Sequence, residues 1–268
     1  MMVSLVGAGP GAPDLITVRG LRRVQQAEVI VHDRLVSPEL IAMAPETARR
    51  VNVGKAPSRR RFPQEEINRI LVAEGQSGRR VVRLKGGDPF VFGLASSECR
   101  ALAEAGVSFE VVPGLSASIA LPGLVGAALT CKGGPTSFCV LSGHYPPGHP
   151  LGADFDRLPT GSTLVVLMGR RHLTAIVTRL VETGWDPATP ALLVASGATT
   201  AEVTSTGSLK SAPERAAALS SPMTLVVGTG VGLRAELGAH FVRSLPQSGV
   251  PWGESAPIPT SASSKGLT

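Results

Sequence analysis

The stretch RRVVRLKGGDPFVFGLASSECRALAEAGVSFEVVPG, residues 79–114, decides the fold. A short apolar run carrying basic residues ends at Gly86-Gly87-Asp88-Pro89, the mark of a strand that stops in a loop. From Ser97 the chain reads as a helix, and then as a second strand closed by Pro113 and Gly114. A strand, a helix and a strand in close succession predict a crossover unit with parallel strands. In an open sheet of that kind, ligands sit beyond the carboxyl ends of the strands. The loop 86–89 is therefore the first candidate site. Gly86 and Gly87 allow close approach to bare backbone, or unusual φ/ψ. Asp88 offers acceptors for a hydroxyl or an ammonium group, or else caps its own turn. Pro89 stiffens the loop.

Working outward, VSLVGAGPGAPDLIT is a first strand ending in a Gly/Pro loop. Val18, Leu21 and Val24 stand at helical spacing, and a strand follows at Val29-Ile30-Val31. A helix over 38–44 and a strand near 50–53 come next. PQEEINRILVAEGQSG is an amphipathic helix with proline and glutamates in its first turn, stopped by Gly75 or Gly78. This alternation, through to the loop at Pro113, predicts a mostly parallel sheet. LSASIALPGLVGAAL reads as a helix after a tight turn. Beyond Lys132-Gly133-Gly134-Pro135 a second α/β half follows, with strands in TSFCVLSGHYP, STLVVLMG, TPALLVASGAT and MTLVVGTGV and a helix in HLTAIVTRLVETG. The predicted organisation is an α/β fold of two domains, 1–115 and 116–243, and a Pro/Ser/Gly-rich tail, 244–268, expected to be disordered. The loops after Gly9, Gly87, Gly114 and Met168 are expected on strand ends that face a ligand.

At 268 residues the chain is long enough for one large α/β domain or two small ones. Hydrophobic residues make up 43% but aromatics only 4%, so the core rests on Val, Leu, Ala and Ile, a mix suited to parallel strands covered on both faces. The net charge of +6 fits a basic surface or an acidic ligand. No basic stripe interleaved with aromatics occurs, so nucleic acid is not an expected partner. Cys99, Cys131 and Cys139 have no CxxC spacing, which argues against a disulfide framework and a metal site and fits a reducing cytoplasm. The opening MMVSLVGAGPG reads as a buried strand rather than a signal peptide, and no apolar run is long enough to span a membrane.

GAGPGA at 7–12 satisfies G-x-G-x-x-A after a strand, and Asp33 lies about 20 residues on, as in a dinucleotide fingerprint. Two features oppose that reading. Pro10 and Pro13 remove N–H donors from the loop that should cradle a pyrophosphate. The loop also continues through Asp14, so no helix N-terminus stands directly behind it.

The motifs VGAGPGAPDLIT, VIVHDRLVSPELI, VGK…PQEEIN, RLKGGDPFVFG, EVVPGLSASIALP, VLMGR and SPMTLVVG, in this order, resemble the uroporphyrinogen-III C-methyltransferase branch of the tetrapyrrole (corrin/porphyrin) methylase family. The resemblance runs from Val3 to Gly228. It implies two α/β domains with a ligand trough between them, a homodimer, and S-adenosylmethionine as methyl donor, without a metal. By resemblance, Pro10 falls on the first-loop proline, and Gly86, Gly87 and Asp88 on the donor-binding GGD. Ser116 and Ala117 match a pair at the start of the following helix, and Met168 the methionine of an MG turn. Ala195 and Met223 fall where backbone contacts to adenine are expected.

The chain also departs from the family pattern. After FG the branch continues Arg-Gly-Gly-Glu-Glu; here Leu94 replaces the arginine and Ser97 the first glutamate, leaving Glu98. Leu124, Cys131 and Lys132 stand where the branch has Tyr, His and Arg, and Ala12 where it has an aspartate. These changes are expected on the acceptor side. An arginine fork meets a carboxylate in a way that leucine cannot and lysine does poorly. Arg59, Arg60 and Arg61 are candidate substitutes.

Methyl transfer from a sulfonium is an in-line displacement in which alignment matters most, and a proton must leave afterwards. Glu98, Asp33 and His144 are candidates to take it, and each also has a structural reading. Three functions follow: C-methylation of uroporphyrinogen III; methylation of a less anionic small nucleophile, favoured by Leu94, Ser97, Leu124 and Cys131; and donor binding without turnover. Turnover of uroporphyrinogen III separates the first from the others.

Overall fold

Strands alternating with helices build the first half into one open sheet. The computed structural model describes residues 2–54 and 63–242. The elements are β1 (Val3–Gly7), α1 (Val18–Gln25), β2 (Val29–His32), α2 (Pro38–Ala42), β3 (Arg49–Asn52), α3 (Gln64–Gln76), β4 (Val81–Lys85), α4 (Ala95–Glu104) and β5 (Phe109–Val112). All neighbours are parallel, in the order β3-β2-β4-β1-β5. Period-2 alternation sends Val6, Ile30, Val82 and Leu84 to one face, under α1 and α2. It sends Val3, Leu5, Val29, Val31 and Val81 to the other, under α3 and α4.

The second half holds α5 (Ala117–Leu124), β6 (Phe138–Ser142), β7 (Thr163–Leu167), α6 (Leu173–Glu182), β8 (Pro190–Ala195), β9 (Val203–Ser208), α7 (Ala212–Ala216), β10 (Met223–Val227) and α8 (Leu233–Leu237). Its sheet runs β6-β7-β10-β8-β9, parallel only between β6 and β7 and antiparallel elsewhere. α6 and α7 cover one face. On the other, Leu121 and Val125 meet Val165, Val194 and Val226, together with Ala12 from the loop after β1. That loop thus docks on the second sheet.

Three features differ from the sequence reading. Val18 is 65% exposed, and the inner face of α1 is Gly20 and Val24 instead. A Cβ at Gly20 would lie 2.9 Å from Val6 Cγ1, so the helix sits too close to β1 for a larger residue. β9, α7 and α8 lie outside the sequence expectation, because VTSTGS lacks apolar alternation at a sheet edge and APERA and LRAEL are too short for a helical stripe. Of the two proposed stops for α3, Gly75 lies inside the helix and Gly78, at φ +75°, follows its end. Arg59, Arg60, Arg61 and the tail 244–268 lie outside the described residues.

Glu110 of β5 accepts from Ser4 Oγ at 2.7 Å and from Arg23, whose Nη2 lies at 3.2 Å, tying α1 to two strands. The Arg23 hydrogen bond, with help from Ser4, holds the Glu110 carboxyl below its ordinary range. A depressed carboxylate contributes stability above its unfolded pKa and loses it as pH falls through the folded one. Glu110→Gln is therefore expected to lower the melting temperature at neutral pH. The gap to wild type should close on acidification below about pH 4, which thermal melts across pH would show.

Candidate functional site

The site begins where three parallel strands end together. Gly7, Gly87 and Gly114 follow or close β1, β4 and β5. A Cβ on Gly7 would stand 2.6 Å from Gly114 Cα and 2.7 Å from the Gly87 carbonyl oxygen. No side chain fits between these backbones. Gly9 and Gly87 exchange two hydrogen bonds, Gly87 N–H to Gly9 O at 2.7 Å and Gly9 N–H to Gly87 O at 3.2 Å. Asp88 secures the same junction: Oδ1 accepts from Phe90 N at 2.8 Å and Oδ2 from Gly114 N at 3.0 Å. It is a turn aspartate that also bridges two loops. Pro10 lies in the loop just beyond Gly9, whose helix, α1, starts only at Val18.

The outward side of the glycine loop is open. A Cβ on Gly86 would meet only Leu35 Cβ, at 3.9 Å, and one on Gly87 only Ser116 Cα, at 3.9 Å. Gly87 has φ +68°, a conformation that disfavours other residues. Ser116 caps α5 with its side chain and shares a 2.8 Å contact with Ser118, so Ala117 begins a helix that faces this loop. The residues fit a group that lies against bare backbone.

The second sheet contributes its own edge. β10 is antiparallel to both β7 and β8, so the carboxyl ends of β7 and β8 meet the start of β10. Met223 pairs with Ala195, and Thr224 pairs with Leu167 beside Met168. Met168, Ala195 and Met223 are thereby brought together. This edge reaches the first through Gly11, whose Cβ would lie 2.9 Å from Ala198 O. Among the described residues, the left-handed non-glycine positions are Phe92, Leu94, Met168, Ser196 and Ala198. All lie in loops at these strand ends. Each costs on the order of 1 kcal/mol, and backbone strain of this kind collects at functional sites.

Behind the glycine loop stands a buried ionic cluster. Arg83 and Lys85 project to the α3/α4 face, as alternation from Val81 requires, and meet Glu98 in the first turn of α4. Glu98 is 0% exposed and lies in the interior. Its Oε1 accepts from Lys85 Nζ at 2.9 Å, Arg83 Nε at 3.0 Å and Gln64 Nε2 at 3.4 Å, while Oε2 has no partner among the described residues. Arg83 Nη2 donates to Asp33 Oδ1 at 2.5 Å. Burial opposes the charge on Arg83, but Asp33 and Glu98 outweigh it and hold the guanidinium above its ordinary pKa. Burial, and then neighbouring Arg83, push the Lys85 ammonium below the usual lysine value. Ser97 accepts from Asn68 Nδ2 at 3.0 Å, and Asn68 accepts from Gln64 at 3.0 Å. The cluster was missed in the sequence, although two cations on one face of a doubly covered strand required a buried acid.

The remaining positions scatter. Leu94 is 57% exposed at the head of α4, with Phe90, Phe92, Leu35, Leu115 and Ile119 also exposed around the loop. Leu124 ends α5, half-buried against the second sheet. Cys131 and Lys132 are exposed in the loop before β6; Gly134, which a Cβ would set against Cys131 Sγ at 2.5 Å, also neighbours Thr229 beyond the far end of β10. They lie on the opposite edge of that sheet from Met168 and Met223. His144 is exposed just after β6, and Gly143 between them donates its N–H to Leu167 O at 2.7 Å. Among the described residues, no group of three or more His, Cys, Asp or Glu could hold a metal ion, and no helix is long and apolar enough to cross a membrane.

Comparison with known proteins extends this geometry. The profile describing the Tetrapyrrole (Corrin/Porphyrin) Methylases matches residues 2–213. A siroheme synthase from Methylococcus capsulatus is 41% identical over 238 residues, covering 88% of this chain and 50% of that protein. One from Escherichia coli is 41% identical over 236 residues, with 88% and 51% covered. The chain thus spans about half the length of these relatives. A solved uroporphyrin-III-C-methyltransferase from Thermus thermophilus superposes with a TM-score of 0.74 at 40% identity, covering 88% of this chain and 96% of that one. A solved uroporphyrin-III C-methyl transferase from Thermus thermophilus complexed with S-adenyl homocysteine gives 0.73 at 36% identity, covering 86% and 99%.

Proposed function

This chain belongs to the tetrapyrrole (corrin/porphyrin) methylases, and on that footing we propose that it transfers a methyl group from S-adenosylmethionine to a ring carbon of uroporphyrinogen III. The observation that carries the reading is the open backbone at Gly86 and Gly87, framed by strained loops from both sheets. S-adenosylmethionine supplies an electrophilic methyl group on a sulfonium sulfur. Gly86 and Gly87 accept the donor against bare backbone, and Asp88 keeps that loop locked to Gly114. Ser116, Ala117, Met168, Ala195, Met223 and Pro10 form the rest of the donor cradle. Holding donor and acceptor in line supplies much of the acceleration, since a pyrrole carbon is already electron-rich.

The new carbon–carbon bond forms as the carbon–sulfur bond breaks, its electron pair staying on sulfur. The methylated ring is left cationic and sheds a proton. Asp33 takes it. Glu98 is committed to Arg83 and Lys85 in the interior, whereas Asp33 stands at the end of β2 with 34% of its side chain exposed. Its backbone N–H binds Leu84 O, two residues before Gly86 on the neighbouring strand β4. The working unit is a homodimer in the cytoplasm.

A second reading, a less carboxylated acceptor, draws support from the exposed apolar side chains around the loop, Leu94 and Phe92 among them. Anaerobic incubation with S-adenosylmethionine and either uroporphyrinogen III or coproporphyrinogen III tests both, with products followed by mass. Mono- and dimethylated uroporphyrinogen is the expected result. Methylation of coproporphyrinogen alone would favour the second reading. Calorimetric binding of S-adenosylhomocysteine with no methylated product would leave a donor-binding protein.

A further inference from the structure

We propose that Arg83, anchored from behind by Glu98, is a positioning residue that holds the Asp33 carboxylate for proton removal; this rests on the function proposed above. The geometry forms a chain with one end in the core and the other at the site. Glu98 is wholly buried, and its Oε1 fixes Arg83 Nε at 3.0 Å. Arg83 is itself buried, and Nη1 donates to the Val31 and Leu84 carbonyls at 3.4 and 3.3 Å. The plane of the guanidinium is thereby set from two sides. Nη2, at the remaining corner, reaches Asp33 Oδ1 at 2.5 Å. A planar fork held at Nε and Nη1 has no freedom in where Nη2 points.

The charges also match this role. Arg83 and Lys85 are the cations of the cluster, and Glu98 and Asp33 the carboxylates that face them. Lys85 engages Glu98 at 2.9 Å, leaving Arg83 to serve Asp33. A strand in an apolar sheet would tolerate leucine at position 83 if only packing mattered. An arginine there requires a buried acid on one side and delivers a fixed donor on the other. Asp33 is the one member of the group with substantial exposure, at the edge where Gly86 and Leu35 lie.

A double-mutant cycle on the full chain tests this. Asp33→Asn, Arg83→Lys and the pair are compared for kcat and KM with uroporphyrinogen III and for S-adenosylhomocysteine binding. Lysine keeps the charge but cannot reach Asp33 and Glu98 together. Arg83→Lys is expected to lower kcat by about 30-fold or more while donor affinity stays within about threefold. On the Asp33→Asn background the same change should cost less than about twofold, because residues acting as one unit are not additive. If Arg83→Lys fails to fold, Glu98→Gln probes the chain from its other end, with a smaller kcat loss that again vanishes beside Asp33→Asn. Effects that multiply, or an Arg83→Lys enzyme with unchanged kcat, would overturn the inference, as would an unimpaired Asp33→Asn enzyme. A wild-type chain that methylates no tetrapyrrole would overturn the functional reading, and this inference with it.

Discussion

Gly114→Ala is expected to lower the affinity for S-adenosylhomocysteine by at least about tenfold, with a loss of stability of about 1–3 kcal/mol from forced overpacking. The added methyl has nowhere to go. It would sit 2.6 Å from Gly7 Cα and 2.7 Å from the Gly7 carbonyl carbon, and would press on the Gly87 carbonyl oxygen. These are backbone atoms of two neighbouring strand ends, so relief means prising the three loops apart. The Asp88 bridge to the Gly114 N–H would move with them. Gly123→Ala makes the same chemical change a few residues on, at a position where a Cβ meets nothing within 4 Å. That control is expected to bind the donor normally and to gain about 0.5–1 kcal/mol from helix propensity. Calorimetry and thermal melts on the two variants separate a steric effect at the strand ends from a general sensitivity of the chain.

The largest stability effect belongs to Glu98. Glu98→Ala takes the carboxylate from buried Lys85 and leaves buried Arg83 with Asp33 alone, and is expected to cost about 3–5 kcal/mol. Glu98→Gln should cost less, since its amide oxygen still accepts from both. Replacing all three together, Glu98→Leu with Arg83→Met and Lys85→Met, should recover much of the lost stability, because an apolar trio needs no compensation in that core. Denaturant unfolding of the single and triple variants checks the ordering. A triple variant no more stable than Glu98→Ala would mean that the cluster stabilises through more than mutual neutralisation.

The unit over 79–114 was legible because its strand, glycine loop, helix and strand each carry a local signal that agrees with the others. The second sheet was legible where its strands are apolar, as in Thr163–Leu167, and opaque at Val203–Ser208, where an edge strand made of Ser, Thr and Gly carries no alternation. Gly86, Gly87 and Asp88 stood out as a site from residue chemistry alone. The reason for Gly7 and Gly114 did not, because it depends on three strand ends converging in space. Arg83 and Lys85 read as a basic strand; only the register with Val81 and the covering helices turns them into a buried pair that needs Glu98. Leu94 shows the same limit. Its replacement of an expected arginine is plain in the sequence, but its left-handed conformation at the head of α4 is a property of the loop.

The measurement that tests the central claim most directly is carbon NMR of the tetrapyrrole formed anaerobically from uroporphyrinogen III and S-adenosylmethionine carrying a carbon-13 methyl group. The label should appear as a methyl bonded to a saturated ring carbon. Label found as a carboxylate ester, or remaining wholly on the donor while S-adenosylhomocysteine binds, would contradict it.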